Sequence, residues 1–140
     1  MTLKTVIEKL REIALRTPNV RSVIINDIYR ENAFEDVKYG AVAILQEDHY
    51  VGENIVRYGI TLVYIDRLLR DAGNEVDVQS EGMLALMNII NAFIGENDTA
   101  TLDGEVEFTA FNQRFADDCA GVYARVNIEV ESNLGICFLS

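Results

Sequence analysis

Residues 54–66, NIVRYGITLVYID, read as one β-strand, and the length of that strand constrains the chain more than any other feature. Side chains alternate across a strand. Val56, Tyr58, Ile60, Leu62 and Tyr64 therefore share one face, and Ile55, Arg57, Gly59, Thr61, Val63 and Ile65 share the other. Both faces carry apolar groups, so the middle of the strand is expected to be covered on both sides. At about 3.3 Å per residue the stretch reaches roughly 43 Å, and an average strand has only about five or six residues. The chain has 140 residues, the size of one ordinary domain, and covers such a strand with difficulty alone. Part of the strand is expected to reach toward a partner.

The stretch before it supplies the pairing strand. Gly40 opens a strand over 41–46, AVAILQ, and residues 47–53 turn back, with Gly52 expected to take the unusual backbone angles. Together with 54–59 this predicts a long projecting β-hairpin. Upstream, residues 2–16 read as an amphipathic helix. Leu3, Val6, Ile7, Leu10, Ile13 and Ala14 follow one helical face, Thr2 or Thr5 can cap its start, and Pro18 with Asn19 ends it. Residues 20–27 read as a short strand and 28–39 as a loop with surface charge.

Downstream, Gly73 and Asn74 mark a break before a second helix that starts between Asn74 and Ser80, either of which can cap it along with Asp77. Met83, Leu84, Leu86, Met87, Ile89, Ile90, Phe93 and Ile94 give this helix an apolar face broader than burial against one sheet requires. Gly95 is expected to stop it, and 96–103 reads as a polar turn. Two strands close the chain, over 104–112 and 121–131, joined by a loop over 113–120. In the second, Val122, Ala124, Val126, Ile128 and Val130 point inward and alternate with polar residues. The tail, 133–140, is unusually apolar for a terminus and is expected to pack on its own domain or on a neighbour. The order α-β-β-β-α-β-β, without regular βαβ alternation, predicts a single α+β domain: a mostly antiparallel sheet flanked by two helices.

Charge narrows the function classes. Twenty-three acidic residues against 12 basic ones give a net charge of −11. A direct grip on phosphate backbones needs clustered Lys and Arg, and the sequence has no such cluster. The acidity has an ordinary meaning, solubility, and a sharper one, a surface that repels nucleic acid as the wall of a DNA conduit should. No apolar run is long enough to predict a transmembrane helix, and the charged N-terminal stretch does not read as a secretory signal.

The search for chemistry yields no catalytic constellation. His49, the only histidine, has Glu47, Asp48 and Glu53 nearby in sequence. A solvated histidine in an acidic hairpin loop accounts for that pattern better than a metal or acid–base site. Cys119 and Cys137 are too irregularly spaced for a metal site or a redox pair, and read as two reduced thiols. Asp117 and Asp118 make a poor calcium loop and read as a solvated loop near Arg114. No glycine-rich phosphate loop is present. Arg57, inside a largely apolar strand, is expected to have a carboxylate partner, and that partner is open to be on another subunit. The candidate interface residues are therefore His49, Tyr50, Arg57, Arg114, Asp117, Asp118 and Phe138, with no catalytic, cofactor or metal residue among them.

Two segments carry a family resemblance. YIDRLLRDAGNEVDVQSEGMLALMNIINAF, over 64–93, and FNQRFADDCAGVYARVNIEV, over 111–130, resemble the small neck and tail-completion proteins of tailed bacteriophages, in particular a group found in crAss-like phages. The shared pattern is a long strand ending in Tyr64-x-Asp66-Arg67-Leu68, then a charged turn, a Glu75-x-x-x-Gln79-Ser80 helix start and an Asn88-Ile89-Ile90-Asn91 helix. An Arg114-Phe115-x-Asp117-x-Cys119-Ala120-Gly121-Val122-Tyr123 segment follows before the last strand. The departure is at Leu69-Arg70-Asp71-Ala72-Gly73, which is less polar than in the family pattern.

The resemblance implies one tail-terminator-like domain over 1–140 that forms a homomeric ring between the portal or its adaptor and the tail. It implies a virion protein, made in the bacterial host cytoplasm, with no cofactor and no enzymatic activity. DNA would pass through the lumen without sequence-specific binding. Twelve copies are expected for a neck ring matched to the portal, with six as the alternative for a terminator on a tail tube. From residue chemistry alone, a small acidic ligand- or peptide-binding module is the other reading.

Overall fold

The computed structural model describes residues 1–26, 40–68, 73–114 and 118–131. The elements are α1 (Leu3–Arg16), β1 (Ser22–Ile25), β2 (Ala41–Val51), β3 (Ile55–Arg67), α2 (Glu75–Glu96), β4 (Ala100–Leu102), β5 (Glu107–Arg114) and β6 (Asp118–Glu131). They form an α+β fold with a six-stranded, mostly antiparallel sheet. The strand order is β1-β2-β3-β6, with β4 and β5 both on the far side of β6. Only the β1–β2 pair is parallel.

The long strand is the axis of the sheet. Every residue of β3 pairs with β6, from Ile55 against Glu131 to Arg67 against Cys119. Tyr58 through Ile65 are all buried, which matches covering on both faces. One face builds the main core. Val42, Ile44, Val56, Ile60, Leu62, Tyr64, Val122, Ala124, Val126 and Ile128 meet Val6, Leu10, Ile13 and Ala14 of α1 and Val78, Leu86, Ile89 and Phe93 of α2. Burying an aliphatic or aromatic side chain of this size contributes about 1.5–3 kcal/mol, so this face dominates stability. The opposite face has a smaller core of Ala43, Val63, Ile65 and Cys119, with Ile24, Leu45 and Phe111 packed on it.

Gly82 sets the distance between helix and sheet. A Cβ there would lie 2.6 Å from Cδ1 of Tyr64 and 2.9 Å from Cγ1 of Val122. Only hydrogen fits where α2 crosses the central strand.

Several local expectations are corrected. Strand β2 does not end at Gln46 but runs to Val51, so most of the expected 47–53 loop is strand. The left-handed residue of the hairpin turn is Asn54 (φ 62°) and not Gly52, since asparagine tolerates that region; the Gly52 N–H donates to the Ile55 carbonyl at 2.9 Å and closes the turn. The hairpin is long and its tip is exposed, but it is not a two-stranded arm, since β6 flanks β3 along its whole length.

Helix α2 runs past Gly95 because its end is held from outside: Asn97 Nδ2 donates to the Phe93 carbonyl at 2.7 Å, and Lys9 Nζ donates to Asn97 Oδ1 at 2.6 Å. Asn74 occupies the N-cap position without capping, as its side chain instead donates to the Arg67 carbonyl at 3.1 Å. In α1, Thr2 is the cap and accepts from the Thr5 N–H at 3.2 Å. The short strand β4 replaces part of the expected turn over 96–103. The ladder between β5 and β6 reaches Arg114 and Asp118, which shortens the expected 113–120 loop. The expected 28–39 loop and the apolar tail lie outside the described residues.

Candidate interaction surfaces

Three of the expected interface residues come together at the outer end of the hairpin. Cα pairing sets His49 against Tyr58 and Tyr50 against Arg57. The register steps between Gln46 and His49, so Glu47 and Asp48 together face Gly59. This is a β-bulge, and it explains the glycine: a Cβ at 59 would lie 2.5 Å from the Asp48 carbonyl oxygen.

The bulge leaves a backbone donor to satisfy, and His49 does so. The Gly59 N–H donates to His49 Nδ1 at 3.3 Å, while Nε2 lies 3.2 Å from Gln46 Oε1. In the tautomer whose Nδ1 accepts, Nε2 is the donor to Gln46 Oε1. The imidazole edge meets the Tyr58 ring at 5.6 Å and 72°. The expectation of a solvated loop histidine is thus corrected: His49 is half-buried and plugs the bulge. Thr61 Oγ1 donates to Glu47 Oε1 at 2.7 Å and ties down the other side of the same bulge.

Arg57 stands on the sheet face away from the helices. Its Nη2 donates to Glu129 Oε1 at 3.1 Å, across the β3–β6 register that pairs the two residues. Asp103 Oδ2 lies 3.1 Å from Nε. The Nε–H makes no hydrogen bond, so this second contact is coulombic. The expected carboxylate partners of Arg57 are thus present in its own chain, from β6 and the turn after β4. Sequence reasoning missed Asp103 and Glu129, because the pairing register was not available to it.

The remaining candidates are elsewhere. Arg114 and Asp118 are Cα partners at the opposite end of the sheet. From Arg57 to Arg67, beside which that end lies, β3 spans roughly 33 Å at ~3.3 Å per residue. The seven candidates therefore do not form one patch. Asp117 and Phe138 lie outside the described residues, as does Cys137. Cys119 is buried in the second core. Among the described residues no group of three or more His, Cys, Asp or Glu side chains could hold a metal ion. No helix among them is long and apolar enough to cross a membrane.

Two further features stand out among the described residues. The first is the outer face of α2. Val76 (75 % exposed), Leu84 (58 %), Met83 (44 %) and Met87 (39 %) form a stripe opposite the buried Val78, Gly82, Ala85, Leu86, Ile89 and Phe93. This bears out the breadth of the apolar face read from sequence. The second is a polar cavity of about 180 Å³ lined by Asn19, Arg21, Gly40, Tyr64, Asp66 and Glu81. Burial holds the Tyr64 hydroxyl well above the ordinary tyrosine range, the Asp66 and Glu81 carboxylates add to this, and Arg21 opposes it.

No family model matches the chain, and no curated protein matches it.

Proposed function

We propose that the chain is a structural virion protein of a tailed bacteriophage. It forms a homomeric ring in the neck or tail that joins the portal or its adaptor to the tail and lines the DNA conduit. One observation of the fold carries this reading: α2 leaves Val76, Met83, Leu84 and Met87 exposed on one side, apolar surface that burial against its own sheet does not use. Such a surface on a small domain marks a site for another protein. The resemblance of 64–93 and 111–130 to neck and tail-completion proteins names the kind of assembly. The net charge of −11 suits a lumen that must not grip a passing polyanion. In this reading the protein is not an enzyme, is made in the host cytoplasm and ends in the virion. Twelve copies form the ring, with six as the alternative.

The test is the mass of the purified chain in solution, alone and beside its portal or adaptor. A closed assembly of twelve or six copies is expected. A strict monomer at high concentration, with and without those partners, would overturn the reading.

A second reading has one observation in its favour. The polar cavity beside Tyr64 has room for a small polar group, which suits a ligand- or peptide-binding module. Saturable binding of such a ligand by a chain that stays monomeric would replace the first reading with this one.

A further inference from the structure

We propose that the apolar tail of one copy, residues 133–140, docks along the α2 stripe of the next copy. The inference rests on the assembly reading above and names its contact.

The choice of occupant starts from charge. Four stretches of the sequence run for eight or more residues without a charged side chain: 39–46, 58–65, 82–95 and 132–140. The first three supply β2, β3 and α2 themselves. The fourth, SNLGICFLS, follows β6 and lies outside the described residues. It carries Leu134, Ile136, Phe138 and Leu139, side chains that gain by leaving water. The stripe of Val76, Met83, Leu84 and Met87 is rimmed by the exposed Asp77 and Glu81. In a chain at −11, two stripes placed face to face would bring those carboxylates together from both copies. The tail covers the same apolar surface and adds no charged side chain to it.

Position and length agree with this. The tail departs from Glu131, the last residue of β6. Val130, just before it, pairs with Ala100, four residues after Glu96 ends α2. The tail therefore starts near the end of the helix that carries the stripe. Val76 and Met87 are eleven residues apart on α2, roughly 16 Å at ~1.5 Å per residue. About five extended residues cover that length at ~3.3 Å each. The other four or so of the nine reach about 13 Å, enough to bridge two copies in contact. Within one copy Val76 is 75 % and Leu84 58 % exposed, so the covering segment comes from a neighbour. Tail and stripe are different surfaces. The contact is heterologous, and repeating it closes a ring or extends a filament.

Paired variants of the full chain, read by sedimentation velocity, test the docking. Phe138→Ser with Leu139→Ser removes the tail's apolar groups, and Met83→Ser with Leu84→Ser removes those of the stripe. Each pair should weaken association at least tenfold, and unchanged thermal melting verifies that each variant folds. Mixed one to one, the two variants should form dimers and no larger species, because one intact tail then meets one intact stripe. A Leu84→Cys chain that also carries Cys137→Ser should form a disulfide with a wild-type chain through the latter's Cys137, and none with itself. Assembly that persists in the tail variant, or a disulfide between two Leu84→Cys chains, overturns the docking and leaves the ring standing. A disulfide from Cys137 to Leu84→Cys within one monomeric chain overturns the exchange between copies. A wild-type chain that never assembles overturns the ring itself.

Discussion

The two helices lie on the same face of the same sheet, yet they use their surfaces differently. Helix α1 is strongly amphipathic: Val6, Leu10, Ile13 and Ala14 are buried, and charged side chains dominate the rest. Helix α2 buries Val78, Ala85, Leu86, Ile89, Ile90 and Phe93, and still exposes four large apolar residues on its far side. The needs of one folded domain account for α1 almost entirely. They account for one side of α2 only. The proposed assembly gives the other side a use.

The contrast is open to attack from its strongest side. Phe93 and Leu86 are fully buried, so Phe93→Ala should cost about 3–5 kcal/mol and Leu86→Ala about 2–5 kcal/mol in urea unfolding. A loss below about 1 kcal/mol at both would mean that the inner side of α2 is not the core side. Next in size is Gly82→Ala. Alanine favours an isolated helix by about 1 kcal/mol over glycine. Here its Cβ would crowd the Tyr64 ring and Val122, so a net loss of about 1–3 kcal/mol is expected in the same assay. A stabilised variant would show that α2 is free to lift from the sheet.

A smaller effect is expected from alkali. The raised pKa of Tyr64, caused first by burial, means that the folded chain keeps a proton that the unfolded chain releases. That contribution to stability is intact below about pH 10 and is lost as pH rises beyond it. Burial raises Tyr58 in the same direction. Tyr64→Phe should therefore flatten the fall in melting temperature between pH 9 and pH 11 (roughly the window set by the ordinary tyrosine value). An identical slope in both proteins would place the hydroxyl in water. The smallest effect belongs to the outer side of α2. Met83→Ser with Met87→Ser should change unfolding free energy by no more than about 0.5 kcal/mol per site, because neither side chain is in the core. A large loss there would erase the difference between the two sides of the helix.

Much of this fold was legible because period-two and period-3.6 patterns are local. The two faces of β3, the inward row of β6, both helices and the surplus apolar face of α2 all follow from spacing alone. What was not legible depends on contacts made across the sheet. Strand β4 is three residues long and exists through pairing of Ala100 with Val130. Glu47, Asp48 and His49 are poor strand formers, and they extend β2 only because a bulge fits them against Gly59. Gly95 looks like a stop until Asn97 is seen to hold the last turn. The candidate site suffered in the same way. Arg57 was correctly marked as needing a carboxylate, but Glu129 is its partner through a register of 72 residues' separation. The grouping of seven interface residues from sequence joined two ends of one sheet.

The central claim is that the surplus surface of α2 is used by copies of the same chain in a virion. The most direct measurement is a cryo-electron microscopy reconstruction of assembled tailed particles that carry this chain, with the copies counted. The account predicts one closed ring of twelve copies, or six, around the DNA axis, with the outer face of α2 covered by the next copy. Particles that lack the chain, or that hold it as isolated copies with that face in solvent, would contradict the account.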